Sequence, residues 1–262
     1  MRLAAGVTMF AVVALAPAIA HAQGGPPLIT DDPDTPGPGY WEINLAAQLE
    51  RSQIEQRLEA PLLDMNYGVG DRLQLKFEMP WVWLGNREDD TRTSGAGNAT
   101  AGVKWRFLGR EGTRVAWSVY PQIEFNTAHS SVVHGIEDDG TVADLPTELT
   151  FEIGKVEING ELGREFSSHG HGRSVAGLSA EIAPKPRLEL VGEVHDDATR
   201  TQDVIANIGV RPRLSRQTTL LAAIGRTLSN GPSQPHAVRV YLALQLNLPG
   251  RYVQGAVVKP KT

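Results

Sequence analysis

Cysteine is absent from this 262-residue sequence, and long apolar runs are absent after the first 22 residues. Without cysteine the chain has no disulfide framework, no cysteine-based zinc site and no thiol nucleophile. No later stretch approaches the roughly 18 consecutive apolar residues that a membrane-spanning helix needs. A surplus of basic residues is also missing, because the formal net charge is −5, which argues against nucleic acid as a partner.

The composition that remains is close to that of a globular protein. Hydrophobic residues make up 41% and charged residues 21% of the chain, which argues against disorder over most of its length. The 27 glycines and 17 prolines indicate many turns. The length allows one or two domains, including one large β-domain. No Walker loop, dinucleotide fingerprint or calcium-loop motif occurs.

Residues 1–22 have the pattern of a signal peptide. Arg2 is a basic start, residues 3–19 form an apolar run, and residues 20–22 read Ala-His-Ala, which fits a cleavage site. A membrane anchor is the alternative, but Pro17 interrupts the run. We therefore expect an exported protein that begins near residue 23.

From Tyr40 onward, apolar and polar residues alternate with period two, which predicts β-strands with one apolar and one polar face. The clear segments are 40–50, 73–81, 99–107, 115–125, 148–153, 156–165 and 238–247. Weaker segments at 58–68, 174–184, 187–195, 203–212 and 218–227 bring the expected number to about twelve. Residues 218–227 are the most ambiguous, since both faces are apolar there.

The connections between these segments alternate in length. The short ones are 68–72, 109–113, 154–155, 184–187 and 213–216. The long ones are 51–57, 85–98, 127–144, 166–173, 196–202 and 228–235. Short periplasmic turns and long external loops are typical of an outer-membrane barrel. The sequence therefore predicts an all-β fold, a closed antiparallel transmembrane β-barrel over residues 40–248, followed by a C-terminal tail at 249–262.

The orientation of the two faces separates a membrane barrel from a soluble one. Many charges on the polar faces suit a wet interior, and aromatic residues near strand ends, such as Trp41, Trp83 and Trp105, suit the membrane interfaces. We therefore expect the apolar side chains to point outward. The alternative is a secreted soluble β-domain, a sandwich or lipocalin-like binder, with a hydrophobic ligand in an apolar core.

Residues 23–39 contain five prolines and form neither a helix nor a central strand. We interpret them as an N-terminal arm. Two roles stay open for this arm: a plug that enters the barrel from the periplasm, with Asp31, Asp32 and Asp34 meeting basic residues on the last three strands, or a flexible leader to the first strand.

Two stretches resemble the outer-membrane transporters of the family called "MetA-pathway of phenol degradation". They are Pro27, Thr30-Asp31-Asp32-Pro33, Thr35, Gly39 and Trp41-Glu42 at the start, and then Tyr67-Gly68-Val69 with Asp71-Arg72-Leu73-Gln74-Leu75. The resemblance implies a β-barrel and the uptake of hydrophobic or aromatic compounds. One departure is at the end, where the chain continues past Pro249-Gly250 rather than finishing on an aromatic strand residue.

Charged residues on the inward face are the candidate site. The acidic lumen-lining candidates are Glu148, Glu152, Glu157, Glu161, Glu165, Glu181, Glu189 and Glu193. The basic candidates are Lys104, Arg106, Arg211 and Arg239, with Arg226 as a weaker one. Opposed walls of this kind predict a transverse field that orients polar or zwitterionic solutes. The alternative is that the charges pair with one another and only stabilise the barrel.

The mature chain has six histidines, His129, His134, His169, His171, His195 and His236. All are expected in long loops or at their edges, at one mouth of the barrel, where a divalent metal site is a hypothesis and solvated loop residues are the simpler alternative. Serines near these histidines, at 130–131 and 167–168, raise the question of nucleophilic catalysis. They carry no G-x-S-x-G motif and lie in expected loops, so the sequence predicts no enzyme, no metal and no cofactor.

The function that these patterns favour is a channel or transporter for small molecules in the outer membrane. Its expected partners are outer-membrane lipid, a small-molecule solute and the machinery that assembles outer-membrane proteins.

Overall fold

The computed structural model describes residues 25–110, 113–170, 172–197, 203–229 and 236–250. In this part of the chain there are fifteen β-strands and one short α-helix. The elements are β1 (Tyr40–Arg51), β2 (Glu55–Val69), β3 (Leu73–Asn86), β4 (Thr91–Ala96), β5 (Ala99–Leu108), β6 (Val115–Val119), β7 (Gln122–Phe125), α1 (His129–Val133), β8 (Thr141–Asp144), β9 (Thr147–Ile153), β10 (Val156–Ser167), β11 (Arg173–Lys185), β12 (Leu188–Asp197), β13 (Asp203–Pro212), β14 (Thr218–Ser229) and β15 (Val238–Pro249). The predicted signal peptide, His171 and most of the predicted tail lie outside the described residues.

The first and last strands close the sheet. β1 pairs with β15 along its whole length, from Tyr40 opposite Pro249 to Arg51 opposite Val238. Three spans consist of two strands each, namely β4 with β5, β6 with β7, and β8 with β9. The fifteen strands therefore make twelve antiparallel spans, and the predicted closed barrel is confirmed.

The ends of the barrel differ in part from the prediction. The short turns were correctly placed, for example residues 154–155 between β9 and β10. Several predicted long loops are wrong, since only residues 52–54 link β1 to β2, and only 87–90 link β3 to β4. The strands continue beyond the apolar belt into polar sequence, and the composition of this polar sequence resembles that of a loop. Residues 126–140 form a long loop that includes α1. Among the described residues, no helix is long and apolar enough to cross a bilayer.

The outer surface of the barrel is apolar. Leu162, Leu178 and Ile208 are 66%, 60% and 69% exposed, whereas Lys104 and Glu148 on the inner face are 1% and 0% exposed. This confirms the predicted orientation and removes the alternative of a soluble domain with an apolar core. A closed sheet with paired backbone groups and an apolar exterior is what hydrocarbon requires.

Aromatic rings gather at the end with the short turns. The rings of Trp41 and Tyr67 lie 4.7 Å apart. Phe107 lies 5.7 Å from Trp105 and 5.2 Å from Trp117, measured between ring centroids. Amphipathic rings at this level fit an interfacial girdle.

Irregular positions cross five neighbouring spans. Pro61 coincides with a register shift between β2 and β3, and Pro80 lies on β3 where β4 gives way to β5. Residues 97–98 separate β4 from β5, Pro121 follows the end of β6, and Pro146 precedes β9. Proline cannot donate to a ladder, so strands tend to be interrupted there. These interruptions explain why three spans are split into two strands.

Candidate functional site

The N-terminal arm lies inside the barrel. Residues 25–39 enter from the end with the short turns, where the Gly39 amide donates to the Gly68 carbonyl at 2.9 Å. The arm folds back on itself, since the Gly25 amide donates to the Thr30 carbonyl at 3.1 Å. Thr30 is fully buried, with its Oγ 3.3 Å from Nδ1 of His195 on β12. The proline-rich arm thus occupies the polar interior of the barrel without forming a strand.

Two acidic side chains of the wall bind backbone amides of the arm. The Glu193 carboxylate on β12 accepts from the amides of Ile29 at 2.8 Å and Thr30 at 2.7 Å. It also accepts from the side-chain amide of Asn207 on β13. Glu161 on β10 accepts from the Asp31 amide at 3.0 Å. Charged acceptors make stronger hydrogen bonds than neutral ones, so these contacts fix the tip of the arm.

Two basic side chains of β5 bind the opposite side of the arm. The Lys104 ammonium lies 3.0 Å from the Asp31 carboxylate and also donates to the Asp32 carbonyl. Arg106 pairs with the Asp34 carboxylate. Lys104 is almost completely buried, and a buried charge is tolerated only when it is paired. The arm therefore supplies part of the compensation for the charges of β5.

Arg211 on β13 anchors the beginning of the arm through carbonyl groups. Its guanidinium donates to the carbonyls of Pro26 at 3.0 Å and Gly25 at 2.8 Å, and it pairs with Glu181 on β11. The expectation that the aspartates of the arm meet the last three strands is wrong for Asp31 and Asp34, because these two bind β5 instead. Strand order alone does not tell which wall a folded-back arm faces.

The remaining lumen-lining candidates contact other residues of the wall. Glu148 accepts from Ser118 at 2.6 Å, and Arg239 donates to Gln48 at 2.6 Å. The other contacts are Glu157 with Asn159 at 3.3 Å, Glu165 with Arg173 at 3.6 Å, and Glu189 with Arg211 and Arg213 at 3.9 Å each. Glu152 is half-buried on β9, opposite Glu157 in the register. Many of the candidate charges are thus already paired within the barrel.

Arg226 was placed on the wrong face. It is exposed on β14, next to the buried Thr227. The inward face of β14 instead carries Leu221, which packs in a small apolar cluster with Ala46, Leu62, Tyr241 and Ala243. Because both faces of this segment are apolar, alternation could not decide its orientation.

A polar network on the first spans was missed as part of the site. The Asn44 amide donates to Asp64 at 3.0 Å, and the Gln74 amide donates to Asn66 at 2.8 Å and to the Tyr120 hydroxyl at 3.1 Å. The alternation of Asp64 and Asn66 with apolar neighbours on β2 was the available signal. This signal was weak because the residues that precede Asp64 on β2 interrupt the alternation.

The histidines that the structure describes do not gather into a site. His195, predicted at the end of a strand beside a long loop, is buried on β12 and contacts Thr30 of the arm. Within the described ranges, no group of three or more histidine, aspartate or glutamate side chains is arranged to hold a metal ion. Among the candidate serines, Ser131 is buried in α1 and its hydroxyl donates to the Ala96 carbonyl at 2.7 Å.

The loop at residues 126–140 is tied to the wall at the opposite end of the barrel from the short turns. Arg57 on β2 donates to the Ile136 carbonyl at 3.0 Å and pairs with Glu137. The side chain of Ile136, within this loop, is buried. Small polar cavities lie beside the arm, of which one of about 30 Å³ borders Asp31, Lys104 and Tyr120. A second, of about 170 Å³, borders Pro26, Arg211 and Arg216.

Comparisons with known proteins agree on the fold. No family model matches the sequence, and no curated protein matches it. Among solved structures, the COG4313 outer membrane channel from Pseudomonas putida F1 is similar, with a TM-score of 0.67 and 15% identity over 83% of this chain and 98% of that one.

Two porins are similar at lower scores. The NanC porin has a TM-score of 0.55 and 6% identity, over 79% of this chain and 100% of that one. The KdgM porin, in complex with disordered oligogalacturonate, has a TM-score of 0.52 and 9% identity, over 78% and 98% of the two chains. The fold is that of an outer-membrane β-barrel.

Proposed function

We propose that this chain is an outer-membrane channel for small molecules and that residues 25–39 close it from within. One observation carries the proposal: the polar interior is occupied by a segment of the same chain held through non-covalent contacts. Glu161, Glu193, Lys104, Arg106 and Arg211 bind this segment from four separate strands. Withdrawal of the arm would leave a charged, water-compatible passage through the barrel.

A solute that follows this route meets mainly polar groups. The inner wall offers carboxylates, guanidinium groups and amides, including those of Asn159 and Gln245. The family resemblance favours hydrophobic or aromatic compounds, whereas the wall itself favours polar ones. We therefore propose passage of small polar molecules, and aromatic solutes remain a second class to test. No catalytic role is proposed, and membrane lipid and the assembly machinery are the other partners that we propose.

A reversible covalent lock tests the plug. A Cβ at Gly177 on β11 would lie 3.2 Å from the Cβ of Thr30 at the tip of the arm. Bridged cysteines have Cβ atoms about 3.5–4.5 Å apart, so the bond requires a small shift of the arm. It also requires a shift of the His195 ring, whose Nδ1 would lie 2.6 Å from the new Cβ. The chain contains no other cysteine, so Thr30→Cys with Gly177→Cys gives one defined disulfide.

Single-channel recording in planar bilayers is the measurement. We expect the oxidised double variant to lose conductance and to regain it in dithiothreitol, whereas Gly177→Cys alone should ignore the reductant. Equal conductance in the oxidised and reduced states would show that the arm is not the gate. A native barrel that never conducts, although it is folded by heat-modifiable gel mobility, would remove the channel proposal itself.

A further inference from the structure

One residue of the arm, Asp31, contacts two charged walls of the interior. The acidic wall includes Glu161 on β10 and Glu193 on β12, and the basic wall is formed by Lys104 and Arg106 on β5. The backbone amide of Asp31 donates to Glu161 at 3.0 Å, and the side-chain carboxylate of the same residue lies 3.0 Å from Lys104. Glu161 lies on β10 and Lys104 on β5, with β9 and β6 between them. The gap between the acidic and the basic wall therefore matches the span from the amide nitrogen of an aspartate to its side-chain carboxylate.

The same polarity recurs on both sides of Asp31. Towards the tip, the amides of Ile29 and Thr30 donate to Glu193 on the acidic wall. Towards the first strand, the Asp34 carboxylate pairs with Arg106 on the basic wall. At these residues the arm thus presents N–H donors to one wall and negative charge to the other, whereas the Asp32 carboxylate interacts with Arg211 on β13. The arm lies in the orientation that a dipolar ligand would take between opposed charges.

We propose that the interior is a binding site for zwitterionic amino acids and acidic peptides, with the ammonium group at Glu161 and Glu193 and the carboxylate at Lys104 and Arg106. This inference rests on the proposed channel function and names its substrate class. The arm occupies both halves of the site as an intramolecular ligand, and a solute that binds both halves displaces it.

We expect this site to bind solutes that carry both charges in preference to solutes that carry one. A solute with an ammonium group and a carboxylate replaces the hydrogen bonds that the arm gives up on each wall. A solute with only one of them replaces the contacts of the arm on one wall and leaves those on the other wall unreplaced, so it recovers less of what displacement of the arm gives up. Sites that hydrogen-bond a polar group reject analogues that lack it by large factors.

β-Alanine is the probe that matches Asp31, since its nitrogen and carboxylate are separated by the same two carbon atoms. Propionate and propylamine each keep one end of the probe and serve as controls. The experiment titrates these three compounds into the native full-length barrel in detergent by isothermal calorimetry. It is repeated on the oxidised Thr30→Cys/Gly177→Cys barrel, in which the arm is fixed in the site.

We expect saturable binding of β-alanine to the native barrel, at least tenfold tighter than binding of propionate or propylamine, and none to the locked barrel. Lys104→Met and Glu161→Gln should each weaken it by at least tenfold. Lys76→Met and Glu124→Gln, which change inward charges bonded to Asp64 and Asn98 rather than to the arm, should not.

Two results would overturn the inference, and the first needs only the native barrel. One is a native barrel that binds propionate or propylamine as well as β-alanine, or binds none of the three. The other is equal binding of β-alanine to the locked and native barrels. Conductance of potassium chloride by the native barrel separates this failure from that of the channel, because a barrel that conducts salt without preferring β-alanine retains the proposed function.

Discussion

The ammonium of Lys104 lies 3.4 Å from the carboxylate of Glu148, and the two side chains are 1% and 0% exposed. They lie on β5 and β9, on either side of β6, and the ring of Tyr120 lies 4.6 Å from the same ammonium. Since Lys104 also binds Asp31, one buried cation joins the barrel wall to the arm. The stability of the barrel is therefore coupled to the binding of the arm in its interior.

This coupling predicts a large effect of Lys104→Met. Removing one partner of a buried ion pair leaves the other charge uncompensated, which costs about 3–5 kcal/mol of unfolding free energy. The double variant Lys104→Met/Glu148→Gln should recover part of this loss. Urea unfolding in detergent, followed by tryptophan fluorescence, measures the unfolding free energies of Lys104→Met, Glu148→Gln and the double variant. Strict additivity of the two single changes would show that the pair is not coupled.

The carboxylates of the arm should control how often the barrel opens. Asp31→Asn with Asp34→Asn weakens the contacts with Lys104 and Arg106 while keeping the size of the side chains. We expect more frequent opening in single-channel records and faster proteolysis of the arm. Asp138→Asn with Asp139→Asn is the matched control, because both aspartates are exposed in the 126–140 loop. Identical opening frequencies for the two double variants would contradict the prediction.

The loop at 126–140 should depend on Arg57. This guanidinium is nearly buried and binds both the Ile136 carbonyl and Glu137, so Arg57→Ala removes several charge-assisted contacts together. We expect limited proteolysis within the loop to accelerate at least several-fold. Arg92→Ala should change little, because the Arg92 side chain is 85% exposed and exposed ion pairs contribute about 0–1 kcal/mol.

The outward orientation of the apolar residues predicts how arginine is tolerated. Leu178 is 60% exposed in the middle of β11, so Leu178→Arg should lower the unfolding free energy in lipid vesicles by about 2–4 kcal/mol. Leu214 is 56% exposed but lies in the turn after β13, where Leu214→Arg should cost about 1 kcal/mol or less. Equal costs at the two positions would mean that Leu178 does not face hydrocarbon.

The sequence by itself determined the local properties of this barrel. Alternation with period two depends only on neighbouring residues, so it located the spans and assigned Lys104, Glu161 and Glu193 to the polar, inward face. It failed at β14, where both faces are apolar, and at the short strands β4 and β8, whose polar sequence resembles a loop.

The tertiary structure alone decided what those faces enclose. The arm has no periodicity, and its place depends on which walls meet across the closed sheet, a relationship between residues such as Asp31 and Glu161 that are 130 positions apart. His195 was expected at the edge of a loop, and only the closed barrel with the arm inside it brings His195 beside Thr30. Strand pattern is local, but closure, register and the occupant of the interior are set by contacts distant in sequence, which the pattern of any one segment does not contain.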